Sequence, residues 1–282
     1  MPDPAPLSTR LKVWPQYLLP HHGLTRLANA ASNSRRLARP MIAAFSRLFP
    51  VDRGECAEPD GGFSSFDAFF TRALRPGVRQ FPAAQETVVS PCDGTISQVG
   101  AIDSGRIIQA KGRTFTAAEL LTSRSWAEPF VDGRFITLYL APHDYHRVHM
   151  PLAGELVGEA RVPGKLFSVS SATSAVVDRL YARNERMVAL FETGFGPVAV
   201  VMVAAMLVAG IETAWGDRSQ HRPGREIGRR TFDPPLPLAR GDEIGRFHWG
   251  STVIVLLPSE APVWLPSLAA DQPAKLGQAL TP

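Results

Sequence analysis

Phe247-His248-Trp249-Gly250-Ser251-Thr252-Val253-Ile254-Val255-Leu256-Leu257-Pro258 sets a Gly-Ser-Thr turn against an apolar run near the C-terminus. Five consecutive aliphatic residues closed by proline are too short for a buried helix and read as a strand covered on both faces. Ser251 then stands at the mouth of a core strand, where the chain behind it is rigid. Glycine has no Cβ, so the Gly250 carbonyl is open to the Ser251 hydroxyl, and glycine tolerates the strained backbone that an N-to-O acyl shift requires. By itself the tripeptide is also ordinary turn chemistry, a loop entering a strand.

Working outward, the region from Val88 reads as short strands over 95–99, 106–109, 135–140, 155–161, 187–191, 197–203 and 252–257, with one helix over 117–121. Upstream the pattern is helical. Helices are expected over 24–37 and 41–49, and Ser65 caps a third in which Phe66, Phe69, Phe70 and Leu74 share a face until Pro76-Gly77 stops it. That aromatic stripe reads as core packing. The fold class expected is α+β, with N-terminal membrane-associated helices packed on a β-rich catalytic domain; the division falls at residues 1–76 and 77–282. Beyond Pro258 the Pro- and Ala-rich tail is expected to be loosely ordered.

Charge is distributed unevenly. Between Pro4 and Val51 there is no acidic residue, while Arg10, Lys12, Arg26, Arg35, Arg36, Arg39 and Arg47 supply seven positive charges; the whole chain is +4, so the remainder is 4 − 7 = −3. The same segment carries Trp14, Tyr17, Leu24, Leu27, Phe45, Leu48 and Phe49. A basic amphipathic segment with aromatic residues reads as an interfacial anchor, each near-surface cation contributing about 1 kcal/mol against anionic lipid. No nucleic-acid-reading motif accompanies the charge. The N-terminus shows no signal-peptide pattern, and the longest apolar run, 197–211, is too short to span a bilayer. Cys56 and Cys92 make no disulfide framework and point to a reducing compartment, with Cys92 read as a small apolar filler.

Two further segments bear on Ser251. Ser90-Pro91-Cys92-Asp93-Gly94 is an Asp-Gly turn feeding a strand, and Pro142-His143-Asp144-Tyr145-His146-Arg147-Val148-His149-Met150-Pro151 places three histidines at three-residue steps. An acid, a histidine and a serine are the parts of a nucleophile, its base and an orienting carboxylate. The histidine spacing is not the HExxH zinc signature, and no metal is expected.

Together, Ser65-Phe66-Asp67-Ala68-Phe69-Phe70-Thr71-Arg72, Asp93-Gly94, Tyr145 to Pro151, Asn184-Glu185-Arg186 and Gly250-Ser251-Thr252 resemble the phosphatidylserine decarboxylases over most of the chain. Trp249 stands where that family usually has leucine, and Cys92 where it often has alanine. The resemblance implies a proenzyme cut between Gly250 and Ser251 into a β chain, 1–250, and an α chain, 251–282. Ser251 would become a covalent pyruvoyl group, the cofactor that forms a Schiff base with the substrate amine. It implies His149 as the base for self-cleavage, Asp93 as the residue orienting it, and His146 as the proton donor in decarboxylation; His143 and Asp144 are left as a solvated pair or local caps. The implied reaction converts phosphatidylserine to phosphatidylethanolamine at the cytoplasmic face of the cell membrane, with an anionic lipid surface as partner and a homodimer compatible with it. Alternatives are a decarboxylase of a related serine phospholipid, an uncleaved lipid-surface binding protein, and a serine hydrolase using the same three residues.

Overall fold

The computed structural model describes residues 6–17, 19–206, 210–216 and 226–282. Its chain order begins with helices α1 (Leu7–Val13), α2 (His21–Ser32), α3 (Ala38–Leu48) and α4 (Phe66–Phe70). Then come β1 (Gly94–Ala101), β2 (Arg106–Ala110), β3 (Arg113–Thr116), α5 (Ala117–Leu121), α6 (Arg124–Ala127), β4 (Arg134–Leu140), β5 (Arg147–His149) and β6 (Gly154–Val162). The remainder is α7 (Ser171–Ser174), α8 (Leu180–Arg183), β7 (Arg186–Thr193), β8 (Gly196–Ala204), β9 (Ile211–Thr213), β10 (Gly228–Leu238), β11 (Glu243–Phe247), β12 (Ser251–Leu257) and β13 (Pro273–Ala274).

An antiparallel eight-stranded sheet in the order β10-β6-β7-β8-β12-β4-β1-β13 carries the core. Every residue of β12 is buried, which is why its sequence is continuously apolar instead of alternating. It lies between β4 and β8, with Ser251 opposite Leu140 on one side and Ala204 on the other. A second sheet, β5-β11-β9, brings the histidine segment beside the stretch leading into Ser251: Glu243 is opposite His149 and Arg246 opposite Arg147.

The α+β class and β-rich body agree with the sequence reading, and so does α5, whose capping box pairs Thr116 with Glu119 as its hydrogen bonds require. Several expectations need correction. The helix expected over 24–37 runs from His21 to Ser32, and α4 ends at Phe70, because Leu74 turns away to bridge Cys56 in an extended pairing. The tail is not loose. β13 pairs with β1, Leu280 N–H donates to the Val88 carbonyl, and Leu276, Leu280 and Thr281 are buried. Composition suggested disorder, but three residues with deep contacts outweigh the prolines around them. Of the apolar run 197–211, residues 207–209 lie outside the described residues. Both cysteines are buried and free, and no described helix is long and apolar enough to cross a membrane.

Candidate active site

Ser251 opens β12, so its backbone is fixed by the ladder on both sides while the residue before it lies in a loop. Its Oγ is buried and makes no hydrogen bond among the described residues. The strained residue is not the glycine. Trp249 has φ +91°, the left-handed region that bulky side chains avoid, whereas a Cβ built on Gly250 would meet nothing within 4 Å. Gly250 therefore borders open space, and the strain expected at the glycine sits one residue earlier.

The two motif histidines are both neutral, His146 fully buried and His149 half-buried. His146 Nδ1 lies 2.9 Å from the Asp144 carbonyl oxygen. A carbonyl only accepts, so Nδ1 carries the proton and Nε2 carries the lone pair. That Nε2 is buried without a partner among the described residues. Burial lowers the His146 pKa to about 3, against the Asp144 carbonyl, which favours the charged ring. By the same logic His149 donates from Nδ1 to the Gly241 carbonyl at 2.8 Å, and its Nε2 accepts from the Tyr145 hydroxyl at 3.0 Å. Burial lowers the His149 pKa as well and pushes the Tyr145 phenol up, keeping it a donor. Neither histidine is hydrogen-bonded to Ser251.

The structure does not join Asp93 to His149. Asp93 accepts from Arg79 Nε at 3.1 Å, from Arg79 Nη2, from Lys275 Nζ at 3.2 Å and from the Leu276 amide at 2.8 Å. Burial raises its pKa, but the Arg79 hydrogen bonds, the Leu276 amide and Lys275 outweigh this and hold the carboxyl below its ordinary range. Two cations and an amide saturate an acceptor that sequence reasoning had reserved for an imidazole. The tautomer of His149 is fixed by the Gly241 carbonyl instead. Asp144, left with His143 as a solvated pair or local caps, is a cap that also keeps the pair: its carboxylate accepts from the Ala141 amide at 2.7 Å and lies 3.8 Å from His143 Nε2.

An apolar cavity of about 270 Å³ adjoins Gly250, next to Ser251. Phe45 of α3, Phe49 just past its end, Phe70 of α4, Tyr139 of β4, Trp249 and Gly250 are among its walls. The aromatic stripe of α4 is core packing, as expected, and more: Phe66, Phe69 and Phe70 form a cluster with Phe45, and Phe70 packs tilted against His146 (4.1 Å, 42°) and stacks on Trp249 (5.6 Å, 21°).

Comparison with known proteins fits this geometry. The family model described as Phosphatidylserine decarboxylase matches residues 66–281, and a second, described as PSD, matches 11–50. The chain is 48% identical over 268 residues to the phosphatidylserine decarboxylase proenzyme of Stenotrophomonas maltophilia, covering 94% of this chain and 96% of that one. To the proenzyme of the same name from Pseudomonas putida it is 46% identical over 282 residues, covering 97% and 98%. This chain belongs to the phosphatidylserine decarboxylase family.

Within that family frame, the other matching stretches are scaffolding for the site. Arg72 donates to the carbonyls of His143 and Asp144, and Arg147 donates to the Thr71 carbonyl, which bolts α4 to the histidine turn. Asn184 bonds the Phe167 and Ala204 carbonyls, and Arg186 is buried among the carbonyls of Glu119, Leu120, Ala182 and Asn184. Ala204 is the residue opposite Ser251, so this lattice holds one flank of the serine. Sequence reasoning missed Tyr145, Arg79 and Gly241. Tyr145 was visible four residues before His149; the other two become neighbours only through the fold. A pyruvoyl group made from Ser251 fits the residues present, since the serine hydroxyl is buried without a partner among the described residues and the adjoining cavity is apolar.

Proposed function

We propose that this chain is a self-processing proenzyme that decarboxylates phosphatidylserine to phosphatidylethanolamine while lying on an anionic membrane surface. The observation that carries the reading is a clamped serine with an unpartnered hydroxyl at the head of the central strand, in a fold that also holds two neutral imidazoles: the Nε2 lone pair of His146 is without a partner among the described residues, and that of His149 is engaged only by the Tyr145 hydroxyl. In self-cleavage the Ser251 Oγ adds to the Gly250 carbonyl carbon and gives its proton to His149. The C–N bond breaks, the Ser251 nitrogen takes the proton, and an ester joins Gly250 to the serine side chain. Loss of the Ser251 Cα proton with rupture of the Cβ–O bond frees a Gly250 carboxylate; hydrolysis with loss of ammonia completes the conversion. His149 enters once its Nε2 exchanges the Tyr145 hydroxyl for that of Ser251.

A pyruvoyl group on the Thr252 nitrogen supplies a ketone that condenses with amines and a neighbouring carbonyl that accepts electrons from a breaking Cα–carboxylate bond. The chain's residues supply the rest. His146 Nε2, a lone pair in a dry setting beside Phe70, takes a proton from the substrate's ammonium group as the amine is freed to condense, and returns it to carbon after carbon dioxide leaves. The cavity admits a headgroup but not two acyl chains, so the lipid tails stay outside it. Its α3 wall is also the basic helix: Phe45 and Phe49 face the cavity, while Leu48 is 77% exposed and Leu27 of α2 is 71% exposed. Exposed leucines beside arginines suit a helix that rests on lipid and delivers the headgroup inward.

Intact mass under denaturing conditions tests the first half. Two fragments, 1–250 and 251–282, the smaller lighter by one ammonia than a serine-started peptide, are expected. A single full-length mass in protein that releases carbon dioxide from phosphatidylserine would overturn it. For the membrane half, deleting residues 1–49 weakens sedimentation with phosphatidylserine vesicles, and unchanged binding would sink the anchor.

A further inference from the structure

Immediately before the cleavage point lies a buried constellation that none of these steps uses. His248 Nδ1 lies 2.8 and 3.0 Å from the two carboxylate oxygens of Asp67, and its Nε2 lies 3.0 Å from Glu212. Both ring nitrogens face carboxylates, so both donate and the ring is an imidazolium. Asp67 projects from α4 and Glu212 from β9, and the ring ties the two elements together. Next along the chain, Trp249 packs on Phe66 at 4.9 Å and stacks on Phe70, both also from α4. The backbone is held too: Phe247 N–H donates to the His146 carbonyl and His248 N–H to the Gly210 carbonyl. Beyond the scissile bond, β12 is locked between its neighbours.

Everything on either side of the Trp249–Gly250 link is therefore fixed, and the link itself is where the backbone is strained. A tryptophan released from these contacts relaxes to negative φ, and that rotation swings the Gly250 carbonyl. We propose that the Asp67–His248–Glu212 clamp, together with the Trp249 stack on α4, holds the left-handed turn that presents the Gly250 carbonyl to Ser251. His248 and Asp67 are positioning residues for self-cleavage and take no part in decarboxylation. Buried ionic groups of this kind contribute geometry more dependably than stability. The inference rests on the self-cleaving reading above and adds the device that aims the bond.

The test follows cleavage of full-length chains made by cell-free synthesis, pulse-labelled and chased on denaturing gels. Asp67→Asn and His248→Gln keep size and much of the hydrogen bonding while removing charge, and each slows conversion by about tenfold or more, the scale set by a strained backbone residue. Decarboxylation per matured site of Asp67→Asn stays at the wild-type value. The decisive variant is His248→Ala with Trp249→Gly. Glycine adopts positive φ at no steric cost, so the double variant cleaves faster than His248→Ala alone despite losing an aromatic ring. Wild-type cleavage rates in Asp67→Asn and His248→Gln overturn the clamp. So does a double variant slower than the single one, the result expected of residues that merely stabilise the fold. Failure of the wild-type chain to cut at Gly250/Ser251 would instead overturn the self-cleaving reading, which separates the two.

Discussion

Replacing Ser251 by alanine should abolish cleavage and at the same time stabilise the precursor. The Ser251 Oγ is fully buried and unpaired among the described residues. A buried hydroxyl without a hydrogen bond costs roughly 1–3 kcal/mol relative to water. Alanine keeps the Cβ and removes only the oxygen, so little packing is lost. One kcal/mol corresponds to about 2–4 °C in Tm for a domain of this order of size, so a rise of at least about 2 °C is expected. Because the wild-type chain is cut, the comparison belongs in an uncut background: His149→Ala against His149→Ala/Ser251→Ala, both verified by intact mass, with Tm read by circular dichroism. Thr252→Val is a control, since the Thr252 hydroxyl is likewise buried and unpaired but points to the other face of β12. An unchanged or lower Tm in the double variant would refute the claim that the reacting hydroxyl is held at a cost.

Three other outcomes follow from the site. His146→Ala matures into two chains but loses at least about a hundredfold in turnover, the lower range for a general acid; wild-type kcat per matured site would reassign the proton donor. Asp93→Asn destabilises the fold by about 1–3 kcal/mol, because the Leu276 amide and Arg79 lose a charged acceptor while Arg79 keeps Glu55 and Lys275 is exposed to water, and denaturant melts showing less than about 1 kcal/mol would contradict its role as a tie. The third is the pH dependence of stability. Burial opposes the His248 charge, but Asp67 and Glu212 outweigh it and raise the pKa to about 9 from an ordinary 6.5. A folded-state pKa above the unfolded one gives stabilisation that is complete below pH 6.5 and lost as pH rises through 9, at most about 3 kcal/mol. His248→Gln should flatten Tm between pH 6.5 and 9.5, and an equal slope in both proteins would show that the ring is not charged.

What the sequence disclosed and what it hid divide along physical lines. The apolar runs of β4, β8 and β12 announced themselves because β12 is buried throughout and the other two along most of their length. β10 did not, because Pro234, Pro235 and Pro237 argue against a strand; it survives as the exposed edge of the sheet, where missing donors cost nothing. β5, β9 and β13 have two or three residues each, below any periodicity. Ser251, His146 and His149 were legible as chemistry-bearing residues in a motif. The partner of Asp93 was not, since Arg79 and Lys275 flank it only after the stretch preceding β1 and the tail fold back on it. His248 was quoted in the same stretch as the serine, yet nothing local says that Asp67, far upstream, reaches its ring.

The position of β12 also sets a direction in time. While the chain is continuous, the central strand is delivered to its slot between β4 and β8 by its own polypeptide, and refolding after denaturation is unimolecular. In the proposed self-cleavage, once Gly250 and Ser251 part, that strand belongs to the fragment 251–282, seated by its ladder, by β13 on β1 and by Leu280 against Val88. Unfolding the mature pair releases a free peptide and leaves two facing sheet edges bare, each a template for strand addition by any other chain. Reassembly then depends on concentration and competes with aggregation. The molecule thus exchanges equilibrium stability for kinetic persistence at the moment it becomes active, and its working lifetime is governed by how slowly the inserted strand escapes.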